Sequence, residues 1–258
     1  MPTFTRAIVR PPADNFADGL TSSNLGPPDV KKAREQHRSY RQALERAGLR
    51  VTELEESRTY PDATFVEDVA VLTGSAAMLT RPGALSRRSE VGLIRDALSQ
   101  CHFSLAEIAA PGTLDGGDVC DADGHFLIGL SARTNDEGAK QLARWLSVNG
   151  RTSTIIDVRG IDALLHFKSG FAYIGDDTMV AVADLSDHPV FRRYRVVAVL
   201  PDEANAANCV RINGRVLVPE GNPVLSRALE SLGYTLEIVD VSEFQKMDGG
   251  LSCLSLRF

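Results

Sequence analysis

The chain has 258 residues, 43% of them apolar and 24% charged, with a formal net charge of −6. This is ordinary globular composition, long enough to bury a full core, and it excludes disordered and collagen-like classes. The acidic balance argues against nucleic acid as a general partner and suits a cationic small substrate.

Met1-Pro2-Thr3-Phe4-Thr5-Arg6 carries no apolar signal core, and no apolar run approaches the ~20 residues that span a bilayer, so a soluble, cytoplasmic protein is expected. Cysteines 101, 120, 209 and 253 form no CxxC pair and no Cys/His cluster, which predicts free thiols and neither a disulfide framework nor a structural zinc site.

Residues 5–10 read as a strand stopped by Pro11-Pro12, and the Gly- and Ser-containing stretch 18–24, with Leu20 at its centre, reads as a flap over a ligand. Residues 29–48 predict a helix. Ala33, His37, Tyr40, Leu44 and Ala47 recur at steps of three and four, Asp29 can cap its start and Gly48 can end it. The basic residues on this helix read as a solvated face.

The chain then repeats a short strand, a turn, a second strand and usually a helix. The copies fall at 66–72, 77–80 and 89–98; at 116–120, 126–129 and 136–148; at 169–174 and 178–182; and at 208–212, 216–218 and 223–232. Asp123-Gly124, Asp176-Asp177 and Asn213-Gly214 supply hairpin turns. A fifth copy begins at residue 252 and stops. The strand and helix of residues 5–48 supply its missing half, which predicts a ring closed by pairing the two ends of the chain. The expected fold is therefore an α/β five-bladed propeller of repeated ββαβ-type modules, one catalytic domain over residues 1–258, with no exposed sheet edges. A doubly wound sheet is the alternative, but no GxGxxG or Walker-type run accompanies it.

The repeats share a register. Glu67-Asp68, Asp115-Gly116-Gly117-Asp118, His166 and Cys253 all fall at or just before the first strand of a copy, so they converge on one axis. A thiol, a histidine and several carboxylates meeting there make a nucleophile, an acid/base and a cation cage. Cys253 follows Gly249-Gly250, which leave room for a ligand or another backbone, and Asp248 adds a carboxylate beside the thiol. In a period-two strand Leu254, Leu256 and Phe258 would share the apolar face and Cys253, Ser255 and Arg257 the other. Each residue also has a plain structural reading: a buried cysteine, a satisfied histidine, an aspartate capping a turn.

Phe65-Val66-Glu67-Asp68, Arg81-Pro82-Gly83 with Arg87-Arg88, Pro111-Gly112-Thr113-Leu114-Asp115-Gly116-Gly117-Asp118, Gly129-Leu130-Ser131-Ala132-Arg133-Thr134-Asn135 and Asp248-Gly249-Gly250-Leu251-Ser252-Cys253 together resemble the dimethylarginine dimethylaminohydrolases, guanidino-modifying enzymes of pentein fold. The resemblance spans nearly the whole chain. It implies Cys253 as nucleophile, His166 as general acid/base and Asp115 as the carboxylate that orients it. It implies that Asp62, Glu67, Asp68 and Asp248 surround a guanidinium, that Arg87 and Arg133 hold the substrate's α-carboxylate, and that Leu20 belongs to the lid. Met247 stands where relatives carry another aliphatic residue. The implied reaction is hydrolysis of asymmetric dimethylarginine and monomethylarginine to citrulline and methylamines through a Cys-thiouronium, with no metal or organic cofactor. The implied partner is the small-molecule substrate, with no nucleic acid and no membrane, and a homodimer is left open. A compact arginine deiminase and a non-catalytic pentein-fold binding protein are the alternatives.

Overall fold

A computed structural model of the chain describes residues 3–161 and 164–258. Met1 and Pro2, part of the segment read above as lacking a signal core, lie outside them.

The described residues form five three-stranded sheets of one topology: a first strand runs antiparallel to a central strand, which runs parallel to a third reached through a crossover. In chain order, β1 (Arg6–Val9), α1 (Val30–Arg46) and β2 (Arg50–Glu53) begin one sheet. A second has β3 (Ala70–Thr73), β4 (Ala76–Leu79), α2 (Val91–Gln100) and β5 (Ser104–Glu107), and a third β6 (Val119–Ala122), β7 (His125–Leu130), α3 (Asp136–Val148) and β8 (Thr152–Asp157). A fourth has β9 (Phe171–Tyr173), β10 (Thr178–Val182), the short α4 (Ala183–Ser186) and β11 (Arg195–Val199). The fifth has β12 (Val210–Ile212), β13 (Arg215–Pro219), α5 (Pro223–Ser231) and β14 (Thr235–Val239). After α6 (Ser242–Gln245) the chain returns as β15 (Leu256–Arg257), which pairs antiparallel with β1, Ala7 opposite Arg257 and Ile8 opposite Leu256. The ends of the chain therefore meet as expected, with the Thr5 and Arg6 N–H groups donating to the Phe258 carbonyl at 2.9 and 2.7 Å.

Local chemistry accounts for these elements. Asp29 caps α1 by accepting from the Lys32 N–H at 3.1 Å, and Ala33, His37, Tyr40 and Leu44 face the core. Asp123-Gly124 takes the left-handed pair of conformations, φ 55° and 87°, that a two-residue hairpin requires. The third strands carry no predicted strand of their own. β2, β5 and β8 begin and end exposed, β11 and β14 begin exposed and end on a buried valine, and the central strand imposes their register.

One boundary differs systematically from the sequence reading. Residues 66–69, 116–118, 167–169 and 252–254 are 3₁₀ turns that precede the first strand of a sheet and are not part of it. Successive strand residues point to opposite faces, so an extended Glu67-Asp68 would drive one carboxylate into apolar core. The tight turn keeps both polar. These turns and Pro201–Ala207 stand side by side around the axis: Val66–Val69 touches Ser252–Leu254 and Gly116–Asp118, which touches Phe167–Ser169, which in turn touches Pro201–Ala207. No helix among the described residues is long and apolar enough to cross a membrane.

Candidate active site

Cys253 sits in the turn Ser252–Leu254, half-buried, and not on a strand face as expected. The two glycines before it admit neighbouring side chains. A Cβ on Gly249 would lie 2.3 Å from Phe65 Cε1, and one on Gly250 would lie 2.4 Å from Asn208 Oδ1. Burial, then the carboxylates of Glu67 and Asp68, push the Cys253 thiol up to about 12, so it rests protonated.

His166 opens the turn Phe167–Ser169. Its Nε2 lies 3.0 Å from Asp115 Oδ2 and 4.0 Å from Asp68 Oδ1. Asp115 is fully buried, and its other oxygen accepts from the Gly83 N–H at 2.8 Å, which fixes the carboxylate behind the ring. Asp118 holds the backbone: Oδ1 accepts from the Phe167 N–H at 2.8 Å, while Oδ2 accepts from the hydroxyls of Ser131 and Thr134 at 2.7 and 2.6 Å. Gly117 is needed between them, since a Cβ there would lie 2.8 Å from both His166 Cγ and Asp68 Oδ1. Burial disfavours the imidazolium, but Asp68, Asp115 and Asp118 outweigh it and raise His166 to about 9. Asp68 is held down in turn by His166 and Arg87, against the effect of its burial. Asp68, Asp115 and His166 place ligand atoms within 4.8 Å of one another, close enough to grip a cation, although Arg87 and the Gly117 N–H already occupy Asp68.

Cys253 and His166 open into one small cavity of about 20 Å³, walled by Leu20, Asp62, Asp68, Arg87, Arg133, Met247 and Asp248. The flap is closed over it. The Leu20 N–H donates to both oxygens of Asp62 at 3.1 and 3.2 Å, the N–H and hydroxyl of Ser22 both donate to Asp248 Oδ2, and Thr21 Oγ1 donates to the Lys246 carbonyl at 2.9 Å. A wider cleft of about 720 Å³ adjoins it at Leu165, Asp248 and Gly249.

The arginines differ. Arg87 is 4% exposed and bound to Asp68 at 2.6 Å, to Glu90 at 2.9 Å and to the carbonyls of Asp62 and Phe65, whereas Arg133 is 16% exposed with Nη1 3.9 Å from Asp115. Burial raises Glu90 to about 7 despite its ion pair with Arg87.

Glu67 departs from the expected set. It does not line the cavity: its carboxylate accepts from Lys168 at 2.6 Å, Arg257 at 3.1 Å and the Ser252 hydroxyl at 2.8 Å, which commits it to the floor beneath the thiol. Asp115 likewise stands behind His166 and outside the lining. Phe65 and Leu165 complete the wall. Phe65 lies inside the Phe65-Val66-Glu67-Asp68 motif, a signal available in the sequence; Leu165, in an ordinary apolar run, gives none.

A family model described as arginine deiminase matches residues 60–204. The N(G),N(G)-dimethylarginine dimethylaminohydrolase of Pseudomonas aeruginosa is 40% identical over 99% of this chain and 100% of its own, and that of Streptomyces coelicolor is 34% identical over 98% and 96%. A solved structure of the Pseudomonas aeruginosa protein, a cysteine-to-serine mutant complexed with citrulline, superposes with a TM-score of 0.96 over the full length of both chains at 39% identity. The acid-walled thiol–histidine cavity, the five-sheet ring and these full-length likenesses agree: the chain belongs to the dimethylarginine dimethylaminohydrolase family, with the pentein fold.

Proposed function

We propose that this protein hydrolyses N-omega-methylated arginines to citrulline and methylamines, with Cys253 as nucleophile. The observation that carries the reading is a neutral thiol and a histidine raised to about 9 in one cavity walled by Asp62, Asp68 and Asp248, a site that calls for a cation. Family membership makes that cation a substituted guanidinium.

A guanidinium is a poor electrophile, and the carboxylates fix its charge and plane beside the sulfur. The bound cation also favours thiolate, so Cys253 gives its proton to solvent as substrate enters and takes one back once the C–S bond has later broken. The thiolate attacks the central carbon and forms a C–S bond. The bond from that carbon to the methylated nitrogen breaks, and His166 gives its proton to the departing amine. A water that loses a proton to the same ring then attacks the thiouronium, the C–S bond breaks, and citrulline is left. Asp115 orients the ring. Arg133, aided by Arg87, holds the α-carboxylate, and Leu20 and Met247 close on the aliphatic part of the substrate. Glu67 has no contact with substrate in this scheme.

The test is parallel turnover of asymmetric dimethylarginine, monomethylarginine and arginine. A methylated nitrogen lacks N–H donors, so a site suited to it leaves arginine's extra N–H groups without acceptors, at about 1–3 kcal/mol per group. Methylated substrates should release citrulline and arginine hardly at all. Comparable kcat/KM for arginine would move the assignment to a compact arginine deiminase, the activity for which the matching family model is described, with Cys253 and His166 in the same roles.

A further inference from the structure

The nucleophile's turn rests on a residue that takes no part in this scheme. Asn208 follows the turn Pro201–Ala207 and is buried. Its Oδ1 accepts from the Ser252 N–H at 2.9 Å, and its Nδ2 donates to the Lys168 carbonyl at 2.9 Å and to Ser252 Oγ at 3.1 Å. One amide thus spans two chain segments. Ser252 is the neighbour of Cys253, and Lys168 lies two residues after His166.

The bridge is closed on its other side by Glu67. Ser252 Oγ donates onward to Glu67 Oε2 at 2.8 Å, and Lys168 Nζ reaches Glu67 Oε1 at 2.6 Å. Asn208, Ser252, Glu67 and Lys168 form a ring of contacts under the site. A second observation points the same way: a Cβ on Gly250 would lie 2.4 Å from Asn208 Oδ1, so the amide packs against the nucleophile's segment on both sides of Leu251. Asn208 does not line the small cavity with Cys253 and His166.

Building on the function proposed above, we propose that Asn208 is a positioning residue that sets the placement of Cys253 relative to His166. Polar groups within the protein are strengthened by their low-dielectric surroundings, and a reacting pair displaced by about 1 Å loses on the order of 10²-fold in rate. Fixing both segments through one planar side chain is a direct way to prevent such a displacement.

Two variants test this. Asn208→Ala removes the whole bridge. Asn208→Asp keeps the size and the acceptor for the Ser252 N–H but has no donor for the Lys168 carbonyl or for Ser252 Oγ, so it cuts the tie to the His166 segment while keeping the backbone tie to Ser252. Both are expected to lose about 10²-fold in kcat for citrulline release with KM changed less than about threefold, because the groups that bind substrate are untouched. The midpoint of the pH profile for Cys253 alkylation by iodoacetamide should also move in Asn208→Ala, which adds no carboxylate near the sulfur. That readout needs no substrate, so absence of citrulline from the wild-type enzyme would refute the function while leaving this arm in force. A merely structural Asn208 would lower the melting temperature and leave kcat and the alkylation midpoint of the folded enzyme unchanged; that result overturns the proposal. If Asn208→Ala does not fold, Asn208→Asp decides, and failure of both to fold assigns Asn208 to stability and overturns it as well.

Discussion

Cys253 and His166 rest as thiol and imidazolium, because burial and two carboxylates act on the sulfur while three carboxylates act on the ring. In the proposed scheme the imidazolium is the form required to protonate the leaving amine. Since kcat/KM reports groups of the free enzyme, it should fall as pH rises through about 9, where His166 loses its proton, while alkylation of Cys253 keeps rising. A fall centred near the ordinary histidine value of 6.5 would show that the carboxylates do not hold the ring charged. The same shift has a stability consequence. The folded pKa exceeds the unfolded one, so the His166 contribution is fully present below pH 6.5 and is lost as pH rises through about 9. Cys253→Ser should retain substrate binding by calorimetry and lose turnover, because a hydroxyl is not ionised by a neighbouring cation; substantial citrulline release would remove the thiol from the mechanism. The arginines should separate. Arg133→Ala should mainly raise KM, whereas Arg87→Ala leaves Asp68 and Glu90 buried without their cation and should cost about 3–5 kcal/mol in denaturant unfolding. The family resemblance gives these two residues one role, and burial distinguishes them.

At the scale of elements, the flap and the 3₁₀ turns carry the chemistry. The composition of residues 18–24 is enough to suggest a flap, but its latches are Asp62 and Asp248, 42 and 226 positions away, and no local pattern encodes such pairs. Gly19 is the point where closure is tightest. A Cβ there would lie 2.5 Å from Asp62 Oδ1 and 3.1 Å from Met247 Cε, while its backbone φ of −68° suits any residue. Gly19→Ala should therefore hold the flap away from Asp62 without backbone strain. KM should rise about tenfold or more, and proteolytic nicking within residues 19–25 should speed up, with little change in melting temperature. Unchanged KM and unchanged nicking would mean that the flap's contacts with Asp62 and Asp248 do not govern binding. The turns show the complementary limit of sequence reading. Their positions follow from the repeat, yet whether Glu67 faces the substrate or the floor depends on Lys168 and Arg257, which reach it from other modules. Its neighbour Asp68 faces the cavity in the same turn, and nothing in the order of the two residues distinguishes them.

For the whole molecule, ring closure is the feature most legible in the sequence, because an unfinished copy at residue 252 and an unpaired strand at residue 5 complement each other. The parallel third strands are the least legible, since Arg50–Glu53 and Ser104–Glu107 show neither alternation nor an apolar run and take their register from a central strand. Closure has an energetic and a chemical side. Leu256 is 4% exposed and packs with Ile8, Val69 and Leu79, Phe258 meets Phe103 edge-on at 4.9 Å between centroids, and Arg257 bonds the Ser252 carbonyl and Glu67 under the nucleophile. The final strand thus joins the core that seals the ring to the turn that presents the thiol. Leu256→Ala should cost about 2–5 kcal/mol through lost burial and a cavity, measured by urea unfolding with Trp145 fluorescence. Because the same strand anchors Ser252, the variant should also lose kcat at temperatures where it remains folded, with KM held. A stability loss with wild-type kcat would separate the two roles, and would mean that Asn208 and Glu67 hold the nucleophile's turn without the strand behind it.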